Sequence, residues 1–384
     1  MDISYIINHF GEERENYFQS IAPPLVQASN FCFANVETMR TAVPNEKENH
    51  FYTRGNNPTT DILCKKLAAL EGAEDALVFA SGVAAISAAV ISQVKAGNHI
   101  ICVDKPYSWA TKLLKNILGR FGVSYTFVDG TQLQSFEAAL QFNTRLVYLE
   151  SPNTFTFELQ DIEQVSQWAK SHGLVTILDN SYATPLYQPA IAMGVDIVVH
   201  SASKYYGGHS DMVAGVVCAN KVIIESIFYS EFLNLGAIIS PHDAWLMLRS
   251  LRTLPLRLER SNITTPKIVE YLATHPKVEK VIYPMHPSFP QHGLAQKQMK
   301  GAGGLFSILL KAGTFSEVDT FVNKLNRFLI ACSWGGHESL VMPVCGLVQQ
   351  ADELHPKLPW NLIRFYIGLE EAEVLIADLE QALS

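Results

Sequence analysis

The 384-residue sequence lacks the features of a nucleic-acid-binding, membrane-spanning or secreted protein. It has no lysine- and arginine-rich run, and its formal net charge is -8, so a surface for phosphate backbones is not expected. The longest apolar stretch, residues 82–94, is too short to cross a bilayer. The N-terminus has neither the basic nor the apolar region of a secretory signal. We therefore expect neither a nucleic-acid partner nor a membrane association.

Cysteine and histidine patterns exclude two further kinds of site. The six cysteines are scattered and form no C-x-x-C pair, which favours reduced thiols and a cytoplasmic protein. The twelve histidines show no metal-ligand spacing. His200, His209 and His337 stand next to turns, where a structural role is expected. No metal is predicted.

Short β-rich runs alternate with amphipathic stretches between about residues 75 and 220. Asp161 is a plausible N-cap of one helix, which ends near Gly173. Near-continuous apolar strands alternating with helices predict a mostly parallel sheet covered on both faces. The fold class is therefore α/β, and ligands of such a sheet bind beyond the carboxyl ends of its strands. The predicted strands are DALVFAS, HIICVD, VSYTFVD, RLVYLES, VTILDN, DIVVH and MVAGVVCA.

The chain is longer than a single core usually supports, so we predict three parts. Residues 1–50 lack the alternation and resemble an extended arm that could pack on a neighbouring chain. Residues 51–240 form the large domain, and residues 241–384 a smaller α+β domain. In the smaller domain, the long helical pattern over 243–262 is interrupted at Pro255.

Polar residues near the strand ends suggest one chemistry when taken together. Lys204 follows the strand GVDIVVH, and Asp179 ends the strand VTILD. The Ser81-Gly82 turn precedes an alanine-rich helix whose free amides suit phosphate, and Arg364 lies within an apolar strand and needs an anionic partner. Each has a structural explanation when taken alone. Jointly they match the needs of pyridoxal phosphate: a lysine, an acid for the ring nitrogen, a phosphate cradle and a carboxylate clamp.

The segment HSASKYYGGHSD resembles the lysine motif of the Cys/Met-metabolism (trans-sulfuration) family of pyridoxal-phosphate enzymes. The resemblance extends from about residue 20 to the end and implies the aspartate-aminotransferase-like (type I) fold. It implies that Lys204 is the Schiff-base residue and that Asp179 pairs with the pyridinium nitrogen. Tyr107 would stack on the cofactor ring. The remaining residues implied at the phosphate are Ser201, Ser203, Gly82, Val83, Tyr52 and Arg54, the last two from a neighbouring subunit.

The substrate end of the site is also implied by the resemblance. Arg364 corresponds to the clamp for the substrate α-carboxylate, with Ser333 and Trp334 of SWGG beside it. SWGG and the tail LIRFYIGLEEAEVLIADLE resemble bacterial cystathionine β-lyases most. Trp109 stands where methionine γ-lyases carry cysteine, and Cys332 where cystathionine γ-lyases carry glutamate. In contrast, YTRGNNPTT is closer to the γ-type form.

We therefore predict a β-eliminating carbon–sulfur lyase acting on L-cystathionine or a related cysteine S-conjugate. Lys204 would act as general base, and Tyr107 would assist proton transfer. The shared phosphate site implies a homodimer, and the resemblance a tetramer. The alternatives are a γ-type member: cystathionine γ-lyase or γ-synthase, methionine γ-lyase or O-acetylhomoserine sulfhydrylase. A nicotinamide-dependent oxidoreductase is the weaker alternative, since KGAGGLF precedes a strand and no G-x-G-x-x-G follows one.

Overall fold

A computed structural model describes residues 1–347 and 358–384. Its larger sheet has seven strands, in the order β1-β7-β6-β5-β4-β2-β3. β7 is antiparallel to both of its neighbours, and the other pairs are parallel. All seven lie where the sequence predicts a strand. Their bounds are β1 Asp75–Phe79, β2 His99–Val103, β3 Ser124–Val128, β4 Thr144–Glu150, β5 Val175–Asp179, β6 Ile197–Ser201 and β7 Gly215–Ala219.

Helices cover both faces of this sheet, because its central strands are buried on both sides. One apolar cluster packs the helix at 82–92 on the sheet, and a second packs the helix at 162–171 on the opposite face. Asp161 caps the latter helix by accepting a hydrogen bond from the Gln164 N–H, as the sequence predicts. The helices of this part of the chain are α1 Ile3–Asn8, α2 Val36–Ala42, α3 Pro58–Glu71, α4 Gly82–Ser92, α5 Ser108–Lys112, α6 Leu133–Ala139, α7 Ile162–Ser171, α8 Thr184–Tyr187, α9 Lys221–Ile227 and α10 Leu233–Leu235.

The C-terminal part contains a second sheet of five strands, in the order β10-β11-β12-β9-β8. The predicted interruption at Pro255 is confirmed: one helix ends at Leu251, the next begins at Leu254, and Pro255 lies in its first turn. The bounds are α11 Pro241–Leu251, α12 Leu254–Thr274, β8 Val278–Ile282, α13 His292–Gln298, β9 Leu305–Leu310, α14 Phe315–Asn323, β10 Leu329–Ile330, β11 Leu340–Pro343, β12 Leu362–Tyr366 and α15 Ala372–Leu383.

The first residues of the chain pack on the chain itself. α1 contacts α3, and Ile6, Ile7 and Tyr17 are buried. Further along, the Trp245 indole N–H donates to the Pro23 carbonyl. The segment from 30 to 50 is mostly exposed, so only this later part retains the character of a projecting arm. Over the ranges that the structure describes, no helix is long and apolar enough to cross a membrane.

Candidate active site

Two buried carboxylates lie side by side at the carboxyl edge of the larger sheet. Asp179 ends β5 and Glu150 ends β4, and the two residues are paired in register. Burial raises the pKa of both carboxyls, and the negative charge of Asp179 raises that of Glu150 further. Among the described residues, no cationic side chain lies within ion-pair distance of either one. The described residues therefore leave both carboxyls without a cationic partner.

Ser181 joins Asp179 to the next strand of the sheet. Its backbone N–H donates to the Asp179 Oδ1 at 3.0 Å. Its hydroxyl accepts a hydrogen bond from the Ser201 N–H at 2.6 Å, which fixes the end of β6. Asp179 is thus held in a fixed place by β5 and β6, although burial disfavours its charge.

The N-terminus of α4 lies against Ser201. Ser81 caps the helix by accepting from the Ala84 N–H, which leaves the N–H groups of Gly82 and Val83 for a ligand. A Cβ on Gly82 would lie 2.9 Å from the Ser201 hydroxyl oxygen, so only glycine allows this approach. In the described ranges the Ser201 hydroxyl makes no hydrogen bond of its own. Two backbone donors and a free hydroxyl thus form a cradle for an anion.

Ser203 differs from Ser201. Its hydroxyl donates to the Ala214 carbonyl at 3.2 Å and accepts from the Ala214 N–H at 3.0 Å. Its only hydroxyl proton is therefore already used within the chain. The prediction that Ser203 binds phosphate requires this hydroxyl to rotate.

Lys204 lies in the turn after β6 and points toward the SWGG turn. Its amine donates to the Ser333 hydroxyl and lies 5.7 Å from the centre of the Trp334 ring. Gly335, at φ +91°, packs against the Lys204 backbone, where a Cβ would approach to 2.8 Å. Burial and the charge of Arg364 lower the pKa of Lys204 to about 8. A substantial fraction of this amine is therefore neutral at neutral to slightly alkaline pH.

Arg364 is the second cation of the site and is only 6% exposed. Its guanidinium donates to the Thr154 hydroxyl at 3.2 Å and lies over the Phe155 ring, with its central carbon 4.7 Å from the ring centre. Within the described part of the chain no carboxylate is in ion-pair range. Burial lowers its pKa to about 10. A buried guanidinium without an acid is suited to an incoming carboxylate.

Tyr107 lies at the same edge, and its backbone N–H donates to the Glu150 Oε2 at 2.6 Å. Tyr107 is 38% exposed, so part of this residue is accessible to a ligand. Tyr52 and Arg54 are exposed and pack on each other, with the guanidinium 5.4 Å from the ring centre. Neither makes a hydrogen bond or ion pair with Lys204, Asp179 or Arg364. A single chain thus assembles the other predicted groups without these two.

Sequence reasoning missed Glu150, Thr154, Ser181 and Arg257. RLVYLE has the same signal that identifies Asp179, a carboxylate that ends an apolar strand. Arg257 is buried, and its guanidinium donates to the Tyr205 carbonyl at 2.8 Å, so it supports the turn that contains Lys204. Its partners are backbone and hydroxyl oxygens, which no sequence pattern indicates.

These residues fit pyridoxal phosphate. The anion cradle would hold the phosphate, the unpaired carboxylate of Asp179 would face the ring nitrogen, and the Lys204 amine would meet the aldehyde. An α/β sheet with this site at its carboxyl edge and a second sheet that contributes a buried arginine defines a pyridoxal-phosphate-dependent enzyme of fold type I.

Comparison with known proteins identifies the family. The model of the Cys/Met metabolism PLP-dependent enzymes matches residues 5–384. An L-methionine gamma-lyase of Pseudomonas deceptionensis is 38% identical over 98% of this chain and 95% of its own. A cystathionine beta-lyase of Lactococcus lactis is 37% identical over 98% and 97%. The crystal structure of MetB from Corynebacterium glutamicum superposes with a TM-score of 0.93 at 34% identity, covering 100% of this chain and 98% of that one. The chain belongs to the Cys/Met-metabolism family, and its cofactor is pyridoxal 5'-phosphate.

Proposed function

We propose that the protein is a carbon–sulfur lyase that performs β-elimination on L-cystathionine or a related cysteine S-conjugate. The observation that carries the amino-acid substrate in this proposal is the environment of Lys204. Burial and the charge of Arg364 lower the pKa of its amine, and the charge of Asp179 partly offsets this; among the described residues neither Arg364 nor Asp179 has an ion-pair partner. This arrangement suits an α-amino acid: its carboxylate would bind Arg364, which directs its α-carbon toward Lys204.

The roles of the side chains follow from their chemistry. When bound, pyridoxal phosphate supplies an electron sink for the pair left on the α-carbon. Lys204 Nζ, whose pKa is lowered to about 8, would remove the α-proton as general base in its neutral form. Asp179 would favour the protonated form of the cofactor's ring nitrogen, and Tyr107 would contact the cofactor and assist proton transfer at the leaving group. Gly82, Val83 and Ser201 would hold the phosphate, and Ser203 would join them once its hydroxyl turns away from the Ala214 carbonyl.

The overall reaction balances with water as the only co-reactant. The C–S bond at the β-carbon breaks, the sulfur leaves with its electron pair as a thiolate, and this thiolate takes up a proton. Hydrolysis of the remaining three-carbon fragment gives pyruvate and ammonia. With cystathionine the thiol would be homocysteine.

The preference for β- over γ-elimination depends on departures at two positions. Trp109 replaces the cysteine expected of methionine γ-lyases, and Cys332 replaces the glutamate expected of cystathionine γ-lyases. The SWGG turn places Ser333 and Trp334 at Lys204. Its sequence resembles that of bacterial cystathionine β-lyases. Relatives with γ-lyase and β-lyase names are about equally similar to the chain, so a γ-type activity is the second candidate.

Assembly and location are part of the proposal. Tyr52 and Arg54 are exposed at the end of a mostly exposed segment, so we expect them to complete the phosphate site of a neighbouring copy. This arrangement requires a dimer, family resemblance favours a tetramer, and the scattered cysteines favour a cytoplasmic location.

The carbon skeleton released from L-cystathionine tests the reaction. β-Elimination gives pyruvate and homocysteine, whereas γ-elimination gives 2-oxobutyrate and cysteine. We expect pyruvate from the purified, cofactor-loaded protein, quantified by chromatography of the derivatised oxo acids. Formation of 2-oxobutyrate without pyruvate would replace our proposal with the γ-type alternative.

A further inference from the structure

Glu150 is a buried carboxylate that the mechanism above does not use. It is 7% exposed, and a second carboxylate, Asp179, is its partner in the sheet register. Two acids at adjacent positions without a cation are unfavourable, as the raised pKa of each indicates. A residue kept in so unfavourable a place should have a specific role.

Both oxygens of Glu150 hold backbone of the active site. Oε2 accepts from the Tyr107 N–H at 2.6 Å, and Oε1 accepts from the Thr154 N–H at 2.9 Å. Tyr107 begins the short helix after β2, whereas Thr154 lies in the turn after β4. One carboxylate therefore connects two loops that no ladder hydrogen bond joins.

The two loops carry different parts of the site. The Tyr107 loop presents the ring assigned to the cofactor. The Thr154 hydroxyl accepts from Arg364 at 3.2 Å, and the neighbouring Phe155 ring lies under the same guanidinium. A shift of the Thr154 turn would therefore move Arg364 as well.

We infer that Glu150 is a positioning residue that sets the cofactor-facing Tyr107 loop and, through Thr154, the carboxylate clamp Arg364. The inference builds on the proposed roles of Tyr107 and Arg364 but not on which carbon–sulfur bond is broken. It predicts that one substitution weakens two separate binding events.

Glu150→Gln tests this role, because an amide has one acceptor oxygen and its NH₂ group would face a backbone donor. Thr154→Val is the matched variant. It removes the Thr154 hydroxyl that accepts from Arg364 and keeps the Thr154 N–H that donates to Glu150. Two titrations provide the readout. Apoprotein is titrated with pyridoxal 5'-phosphate, and holoenzyme with glycine, which has the amine and carboxylate but no leaving group; both are followed by cofactor absorbance.

We expect Glu150→Gln to weaken both the cofactor and the glycine by about tenfold, the effect of one unsatisfied buried donor. Thr154→Val should weaken glycine alone. The inference is overturned if Glu150→Gln binds both the cofactor and glycine as tightly as the wild type does. It is also overturned if Glu150→Gln weakens glycine binding but not cofactor binding. If Glu150→Gln does not fold, Glu150→Asp, too short to reach both N–H groups, takes its place with the same expected pattern. Glycine binding tests the clamp even if the protein releases no pyruvate, so failure of the proposed reaction would be distinguishable.

Discussion

Charged side chains are buried in two regions of this protein, and the two regions differ in whether these side chains have ion-pair partners. Near the N-terminus, Glu12 accepts from Arg14 at 2.9 Å and from Lys66 and Arg252 at 3.1 Å each. Lys66 also donates to the carbonyl groups of Ile6 and Ile7, at the end of α1. Every charge in this cluster thus has a partner, although burial still lowers the pKa of Lys66.

The carboxyl edge of the larger sheet shows the opposite arrangement. Asp179, Glu150 and Arg364 are as buried as Glu12, yet within the described ranges none has an oppositely charged side chain in ion-pair range. A buried charge that lacks a partner destabilises the fold, so these groups should lower the free energy of unfolding of the apoprotein. The difference indicates that the Glu12 cluster stabilises the fold, whereas the charged groups at the sheet edge would serve the binding of the cofactor and the substrate.

Replacing Lys204 should have the largest effect. In Lys204→Ala we expect turnover to fall by about 10⁴-fold, because the general base and the cofactor attachment are both lost. The protein should still fold, since the only hydrogen bond and cation–π contact of the amine in the described part of the chain are with the SWGG turn. The measurement is the oxo-acid release rate together with borohydride fixation of the cofactor, and Lys170→Ala, an exposed lysine, is the control. Fixation of the cofactor in Lys204→Ala at wild-type yield would contradict the assignment.

Breaking the paired cluster should affect stability instead. Glu12→Gln leaves Lys66 and two arginines without their carboxylate, so we expect the free energy of unfolding to fall by about 3 kcal/mol. Urea unfolding of the apoprotein is the measurement, with the exposed Glu137→Gln as the matched control. Cofactor affinity should not change under conditions where the variant is folded. If the free energy of unfolding falls no more in Glu12→Gln than in Glu137→Gln, the N-terminal cluster does not stabilise the fold.

The lowered pKa of Lys204 predicts how cofactor binding depends on pH. Only the neutral amine attacks an aldehyde, and the pKa of this amine is lowered to about 8. The rate of cofactor attachment to apoprotein should therefore be nearly constant above pH 9 and fall by about tenfold for each pH unit below 7. Stopped-flow absorbance over this range provides the curve. A midpoint near 10.5, the ordinary value for lysine, would show that the site does not favour the neutral amine.

The sequence predicts much of this architecture because its signals are local. The seven strands are apolar runs, and Asp161 and Pro255 mark helix boundaries through capping and steric effects that depend on near neighbours alone. Lys204, Asp179 and Arg364 are recognisable because each places a charge next to or within an apolar strand. Assignment of their roles also required the resemblance to a family.

The residues that were missed have partners that a sequence does not reveal. Glu150 bonds to two backbone N–H groups, and Arg257 bonds to the carbonyl of Tyr205, which is 52 residues away, and to the carbonyl of Ser250. For Ser203 the motif predicts a hydroxyl that binds phosphate. The structure shows this hydroxyl donating to the Ala214 carbonyl, a partner that the motif does not reveal. The roles of Tyr52 and Arg54 at the phosphate of a neighbouring copy stay predictions.

The central claim is that Asp179 lacks a cationic partner in the protein and pairs with the cofactor. The most direct test measures the stability and the cofactor affinity of Asp179→Asn. Removing a buried carboxylate that lacks a cation should raise the free energy of unfolding of the apoprotein by about 1 kcal/mol, measured in urea at neutral pH. The same change should weaken pyridoxal 5'-phosphate by about a hundredfold, measured by absorbance titration, because the ring nitrogen loses its anion. Opposite shifts in the two quantities are the predicted result. A less stable apoprotein with unchanged cofactor affinity would show that Asp179 is a structural residue and contradict the account.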